Sequence, residues 1–500
     1  MKRLSYSLLQ SSALLATASL LSRVLGVFRD HLLTKYLGAS ESLDAYFAAF
    51  RIPDLIYSLL IVSSLTAIFL PEFQKKREQE SEDAGWIFAS QTFNSFFILL
   101  TTALIITLFF SKQIIPYYIP EFNTEQQELT RHMMMIMLIS PLFFMLSSFF
   151  ISIESAFHRY TTQAAAPILY NIGIIFGITY LFPILGEIGL AIGVALGAVL
   201  QFAFQIPFLF FSDIKWHCQF LSWKQICFFF HHSLPRLLAI GAQQLSILAD
   251  TYLASLLAAG SLSVMQLAIN LHSLPYGIIA VSLSIPAFSA LSQYAAKQDD
   301  IHFEKQLNET FQKIHFWTFP SLFGFIILAP HIIATLFEYG AFSSQNTQEL
   351  SKTLYLLLLG LPFFGSIPLL SRAFFAKQKT WPPFWASLIG LTANIAISII
   401  LSKTHGIFGI AIGTSIGSII TASILYLFTF RENYTLKIFS TLPSLFSSLI
   451  MFFSLKQGLL PLIVEQSHIF HVLTVPLAGA VVYGTIHLTI AKMRKIMRKA

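Results

Sequence analysis

The sequence is poor in charge. Charged residues make up 11% of its 500 residues and hydrophobic residues 55%, and the mean hydropathy is +0.69. A soluble globular protein carries about 25% charged residues because its surface faces water. The composition therefore excludes an ordinary soluble protein and predicts a chain whose surface largely faces lipid.

Cysteine and catalytic motifs are also scarce. Cys218 and Cys227 are the two cysteines, too few for a disulfide framework or a thiolate zinc site. We find no nucleophile–base set, no cluster of metal ligands and no phosphate loop with Gly-Lys. We therefore predict neither an enzyme nor a metal site. The net charge of +7 fits basic cytoplasmic loops better than a nucleic-acid partner.

Long apolar runs dominate the chain. Barrel strands would appear as short alternating segments, whereas spans of about 20 apolar residues predict membrane helices. We predict an all-α polytopic membrane protein with about fourteen transmembrane helices. Their approximate bounds are 5–35, 41–70, 86–111, 128–157, 163–183, 189–211, 237–258, 264–292, 314–338, 350–376, 381–402, 408–429, 438–456 and 469–490.

The basic residues predict the orientation. With an even helix count both termini lie on one side, and placing them in the cytoplasm puts most of the 31 Lys and Arg there. Met1–Arg3 before an apolar run imitates a secretory signal. Because no small-residue cleavage site is followed by polar sequence, we predict that this segment is retained.

Internal repetition predicts two homologous six-helix lobes. The glycine run Gly189–Gly197 recurs at Gly409–Gly417, an offset of 220, and other residues recur at nearly the same offset. Two such lobes suit alternating access around a central site. The recurring single residues are Asp30 and Asp250, Pro53 and Pro275, and Gly38 and Gly260. The predicted domains are an N-lobe at 1–212, a linker at 213–236, a C-lobe at 237–437, and two last helices with a basic cytoplasmic tail at 438–500.

The linker mixes aromatic and basic residues, which is typical of an amphipathic helix in the membrane interface. Its histidines and cysteines also allow a metal-site hypothesis, but we favour the interfacial helix. The residues concerned are His217, Cys218, Cys227, His231 and His232.

Charged residues in the first two helices are the main functional signal, because membrane-embedded charges usually face a cavity or a partner. Arg23 and Asp30 are seven residues apart, as are Asp44 and Arg51. That separation is about 10 Å along a helix, so it implies pairing across helices or with a ligand. Arg29 lies about 120° from Arg23 around the helix.

Counting three arginines against two aspartates predicts a guanidinium surplus, which suits a phosphate. The alternative is that these five charges neutralise one another and lock the helices together. The second half has no arginine at the corresponding helices; it offers Asp250, Asn270 and His272. Asp250 is either a structural cap or a sodium or proton ligand. Glu154 and Glu338 are predicted to be interfacial.

Several stretches resemble a known family. Ser22–Asp30, followed by Asp44–Phe47 and Phe50–Pro53, resembles the opening of the MurJ (MviN) lipid II flippases. These belong to the multidrug/oligosaccharidyl-lipid/polysaccharide exporter superfamily. Similar stretches continue through the chain, at 157–171, 197–207, 259–263 and 338–342. The family's fourteen helices in two lobes with an extra C-terminal pair agree with the pattern above.

The resemblance implies a function in peptidoglycan biosynthesis and cell shape. Such proteins flip lipid II, an undecaprenyl-pyrophosphate-linked muropeptide, from the cytoplasmic to the periplasmic leaflet of the bacterial inner membrane by alternating access. Arg23, Arg29 and Arg51 would grip the pyrophosphate, Asp44 would be the cavity acid, and 438–490 would hold the lipid tail. The full predicted substrate-binding set is Arg23, Arg29, Arg51, Asp30, Asp44, Asp250 and Asn270. No cofactor is expected, and coupling to a monovalent cation and contacts with cell-wall synthesis proteins stay open.

Three positions depart from the family pattern. Tyr57 and Asn270 stand where the family usually has arginine, and Val62–Ser63 where it tends to have Glu-Gly. A weaker cationic cavity leaves alternatives: export of another lipid-linked oligosaccharide, export of drugs or metabolites, or a non-transporting scaffold for cell-wall enzymes.

Overall fold

A computed structural model describes residues 8–157, 159–207, 215–463 and 467–497, and within these ranges every regular element is helical. The protein is thus an all-α, multi-pass membrane protein. The signal-like Met1–Arg3, the first two linker residues and the last three tail residues lie outside the described ranges. The chain forms two compact units, Met1–Leu262 and Ser263–Ala500.

The first unit contains the charged helices. Several of its helices begin at a polar side chain that accepts a free N–H group, as Ser40 does from Leu43 and Ser81 from Ala84. Its helices are α1 Leu8–Leu37, α2 Glu41–Tyr57, the π-helix Ser58–Leu65, α3 Thr66–Gln79, α4 Glu82–Phe109, α5 Ser111–Tyr118, α6 Thr124–Met137, α7 Ser140–Ala156, α8 Thr161–Phe176, the π-helix Gly177–Leu181, α9 Phe182–Leu185, α10 Glu187–Ala203 and α11 Trp223–Ser255.

Helices of the second unit also begin at polar side chains that accept a free N–H group. Asp299 accepts the N–H group of His302, and Ser343 forms a reciprocal cap with Asn346. The helices from the unit boundary onwards are α12 Ser261–Pro275, the π-helix Tyr276–Val281, α13 Ser282–Ala296, α14 Asp300–Phe337, α15 Ser344–Leu359, α16 Leu361–Ala376, α17 Trp381–His405, α18 Ile407–Arg431, the 3₁₀ helix Ile438–Thr441, α19 Leu442–Ser454, the π-helix Leu455–Leu459, the 3₁₀ helix Leu460–Leu462 and α20 His468–Met497.

The predicted count of fourteen spans is not confirmed. Within the described ranges, ten helices are long and apolar enough to cross a membrane, or eleven if the bent pair α15–α16 is one span. Of the remaining predicted spans, α10 has only 17 residues. Helix α1 carries Arg23, Arg29 and Asp30 within two turns, which lowers its hydropathy.

The repeated glycine run has the same packing role in both units. A Cβ atom on Gly193 would collide with the backbone of Gly177, and one on Gly413 would collide with Ser398. Each run lies on a helix that follows a glycine with positive φ, +61° at Gly186 and +58° at Gly406. Glycine adopts this conformation without the cost of a Cβ clash, which lets α10 and α18 fold back closely on the preceding helix.

The division between the units differs from the predicted domain boundaries. The first unit runs to Leu262, and α11 extends without a break from Trp223 to Ser255. Residues 223–236 of the predicted linker are therefore the first turns of the next long helix. Residues 215–222 before it lie along α4, where Ser90, Asn94 and Ser95 bond to their backbone.

Candidate functional site

Arg29 is held by its neighbour in the sequence. Its Nε and Nη2 donate to Oδ1 of Asp30 at 3.0 and 2.8 Å. Asp30 is 4% exposed, so this carboxylate is almost removed from solvent. The pair explains how two charges can sit in a membrane helix, since each offsets the cost of burying the other.

Asn171 on α8 completes the surroundings of Arg29. Its Oδ1 accepts from Nη1 of Arg29 at 3.3 Å. Its Nδ2 donates to the carbonyl of Ser22 at 3.3 Å and to that of Pro167 at 3.0 Å. One buried amide thus joins α8 to α1 at the two ends of the charged segment.

Arg23 lies on the same helix, two turns before Asp30, and is partly buried. Within the described ranges its guanidinium makes no side-chain hydrogen bond or ion pair. The predicted pairing of Arg23 across helices is therefore absent there, and its five N–H donors are available to a ligand.

Arg51 on α2 donates from Nε to Oγ1 of Thr251 on α11 at 3.1 Å. Asp54 follows Arg51 by three residues, so the two side chains lie on one face of the helix. With Asp54 included, the first two helices hold three arginines and three aspartates, so the predicted excess of arginine over aspartate is wrong.

The charged side chains of α1 and α2 differ in whether groups of the protein already bind them. Asp44 is 2% exposed, and its Oδ2 accepts the backbone N–H group of Gly260 at 2.7 Å. Asp30 is occupied by Arg29. Two of the three aspartates are therefore bound by groups of the protein itself, whereas Arg23 has no side-chain partner among the described residues. Helix α1 thus carries an unbound guanidinium at Arg23 and, six residues later, a fixed one at Arg29.

The predicted residues outside the first two helices lie on α11 and in the second unit. Asp250 is buried at 7% exposure near the end of α11. Asn270 lies in the second unit, where its Oδ1 accepts from Nε2 of Gln266 at 2.7 Å. His272, on the same helix, packs against the ring of Phe364. The structure thus joins Arg23, Arg29 and Asp30 on one helix and places Asn270 in the other compact unit.

Tyr57 occupies the position where the family pattern has arginine. Its hydroxyl bonds to that of Ser148 at 2.7 Å, so it holds α2 against α7. The histidines and cysteines of the linker form no group suited to a metal ion in the part of the chain that the structure describes. Cys218 and Cys227 are both exposed.

A guanidinium in a membrane protein binds phosphate well because its planar donors match two oxygens at once. Arg23 has that capacity free, and Arg29 keeps a fixed orientation. The arrangement suits an anionic group that is attached to a lipid, since the exposed side chains of α1 around Arg23 include Leu21, Val24 and Phe28.

Comparison with known proteins shows the family to which the chain belongs. The family profile described as "Lipid II flippase MurJ" matches residues 33–481. The lipid II flippase MurJ of Thermosipho africanus (strain TCF52B) is 32% identical over 447 residues, which cover 89% of this chain and 90% of the relative. The probable lipid II flippase MurJ of Buchnera aphidicola subsp. Acyrthosiphon pisum is 31% identical over 430 residues, covering 84% and 83%.

Solved structures agree. A lipid II flippase MurJ in an inward closed conformation has a TM-score of 0.84 at 30% identity, covering 97% of this chain and all of that chain. An inward-facing multidrug resistance MATE family transporter of the MOP superfamily has a TM-score of 0.71 at 15% identity, covering 82% and 94%, which shows a shared fold alone. The predicted resemblance to this family is confirmed. The chain belongs to the MurJ lipid II flippase family, whose members are transporters.

Proposed function

We propose that this protein flips lipid II from the cytoplasmic to the periplasmic leaflet of a bacterial inner membrane. Membership of the family over residues 33–481 supports the activity. The observation that carries the mechanism is Arg23, an arginine on a membrane helix with no side-chain partner among the described residues. An uncommitted charge in such a helix is costly unless a ligand or water compensates it.

In this mechanism Arg23 donates two parallel hydrogen bonds to the diphosphate of the head group. Arg29, fixed by Asp30 and Asn171, contributes the N–H groups that these two residues leave free. Arg51 adds a third cation from α2. The polyprenyl tail stays in lipid, because moving it through a wet polar site would cost about 0.8 kcal/mol per CH₂ group.

The remaining features are part of the same proposal. Transport proceeds by alternating access with both termini in the cytoplasm, and no cofactor takes part. Asp250, buried near the end of α11, is our candidate for binding a coupling sodium ion or proton. Asp44 and Asn270 complete the predicted substrate-binding set.

The test is leaflet-resolved detection of lipid II in cells whose own flippase is depleted and replaced by this chain. Arg23→Ala should abolish flipping at unchanged protein amount, because it removes no side-chain hydrogen bond to the part of the chain that the structure describes. Arg23→Lys should keep partial activity, since an ammonium ion cannot bind two oxygens in a planar fork. Lys35→Ala, on the last turn of the same helix, is the control.

Arg29→Ala is a less informative variant, because it leaves Asp30 buried without its partner and so lowers stability. Full flipping by the Arg23→Ala, Arg51→Ala double variant would refute the arginine clamp. Export of a cationic dye with no movement of lipid II would instead favour a drug exporter. Such a function is compatible with first and second helices that hold as many aspartates as arginines.

A further inference from the structure

Asn171 is buried, at 6% exposure, and its amide is engaged within the protein. The oxygen accepts from Arg29. The nitrogen has two hydrogens and lies 3.0 Å from the Pro167 carbonyl and 3.3 Å from both the carbonyl and the hydroxyl of Ser22. Both amide hydrogens are thus used inside the protein, and only one lone pair of a buried oxygen is left. The contacts of Asn171 therefore serve the predicted site from behind, through Arg29 and Ser22.

The conformation of Arg29 needs this support. Adjacent residues on a helix point about 100° apart, so Arg29 and Asp30 do not face each other by default. The Arg29 side chain must turn back toward its neighbour to place both Nε and Nη2 on one carboxylate oxygen. The third contact, from Nη1 to Asn171, fixes the plane of the guanidinium from the side of α8.

The same amide acts on the segment that carries Arg23. Its bond to the carbonyl of Ser22, the residue just before Arg23, fixes the distance between α1 and α8 at that level. A Cβ atom placed on Gly26, between Ser22 and Arg29, would meet nothing within 4 Å, so no other helix packs against that point of α1. Without Asn171, α1 would have one fewer attachment on each side of Gly26.

We propose that Asn171 is the positioning residue of the diphosphate clamp, acting through Arg29 and, by way of Ser22, on Arg23. This inference rests on the proposed function, because it assumes that both arginines bind the head group. It assigns to α8 a part in substrate affinity although none of its residues needs to touch the substrate.

The experiment is a double-mutant cycle on the full-length protein in lipid nanodiscs, with farnesyl diphosphate as the probe. Affinity is measured for wild type, Asn171→Leu, Arg29→Ala, Arg23→Ala and the Asn171→Leu, Arg29→Ala double variant. We expect Asn171→Leu to weaken binding about tenfold, equivalent to ~1.4 kcal/mol. In the Arg29→Ala background the same substitution should cost clearly less than tenfold, since Arg29 is already removed and only the effect through Ser22 on Arg23 remains.

A matched control is available in the second unit. Asn308 is 5% exposed and also makes three hydrogen bonds, to the backbone of Glu304, Thr435 and Lys437, with no arginine involved. Asn308→Leu should lower the unfolding temperature without changing affinity for the probe in the protein that stays folded. If Asn171→Leu is poorly folded, Asn171→Ser removes the same contact with a smaller change of volume.

The outcomes distinguish a failure of the positioning role of Asn171 from a failure of the arginine clamp. Additive losses in the double variant, or unchanged affinity in both Asn171 variants, would overturn the positioning role. Unchanged affinity in Arg29→Ala and Arg23→Ala would instead contradict the arginine clamp itself.

Discussion

Asp44→Ala offers a quantitative test of how the first unit is held together. The carboxylate of Asp44 lies in the first turn of α2, is 2% exposed, and accepts the N–H group of Gly260 at 2.7 Å. Gly260 has φ of +87°, and its Cα faces the carbonyl of Ala39. The bond therefore ties the loop after α11 to the first turn of α2.

The expected loss follows from the burial. A hydrogen bond to a charged group contributes about 1.5–3 kcal/mol, and no water can replace the lost acceptor at this exposure. At about 1.4 kcal/mol per factor of ten, the folding equilibrium should shift by roughly tenfold to a hundredfold. Asp44→Asn keeps an oxygen acceptor of the same shape, so most of this stability should return.

The assay is thermal unfolding of the purified protein in detergent, run beside the flipping assay. We expect Asp44→Ala to unfold at a clearly lower temperature and Asp44→Asn to lie close to wild type. An unchanged unfolding temperature in Asp44→Ala would refute the structural role. Lost flipping in Asp44→Asn at wild-type stability would show that the charge itself acts on the substrate, as the family resemblance implies.

Two further predictions concern packing and protonation. Gly193→Ala should destabilise the protein by about 1–3 kcal/mol because the added Cβ atom would meet the backbone of Gly177. Gly324→Ala should stabilise it by about 1 kcal/mol, because the space around Gly324 is open and alanine favours a helix. Thermal unfolding of both variants shows whether stability falls or rises. The bonds from the His302 N–H group and ring lower the pKa of Asp299. The hydrogen bonds by which Asp299 caps α14 should therefore be present above the ordinary pKa of about 3.9 and be lost as the pH falls through the lower pKa of the folded protein. Asp299→Asn should not show this pH dependence. Amide hydrogen exchange at His302 measures both.

The fold class could be predicted from the sequence because lipid exposure leaves a direct mark on composition. The bounds of single apolar runs were also close: 163–183 was predicted for the helices that span Thr161–Leu185. The continuity of 223–255 was missed, because the basic and aromatic residues at its start are equally typical of an interfacial segment and of a helix entering the membrane.

The site was only partly predictable. Residue spacing gives the direction of each Cβ atom, and on that basis Arg29 is expected about 120° from Arg23 around the helix. A long side chain can turn back to its neighbour, as Arg29 does to Asp30, and the spacing contains no information on that choice. Asn171 lies 142 residues from Arg29, so only the packing of α8 on α1 reveals the contact. Asp54 was visible in the sequence, three residues after Arg51.

The way residues 217–221 are attached to α4 has a consequence for sequence variation. Ser90, Asn94 and Ser95 bind main-chain N–H and carbonyl groups of that stretch, groups that nearly every amino acid provides. Substitution of an exposed residue in this stretch, such as Cys218, should consequently leave these bonds intact. Adding or deleting one residue would instead put the whole row of attachments out of register and displace Leu221, which is 5% exposed, from the core. The attachment thus depends on the length of the stretch and on the three polar side chains of α4.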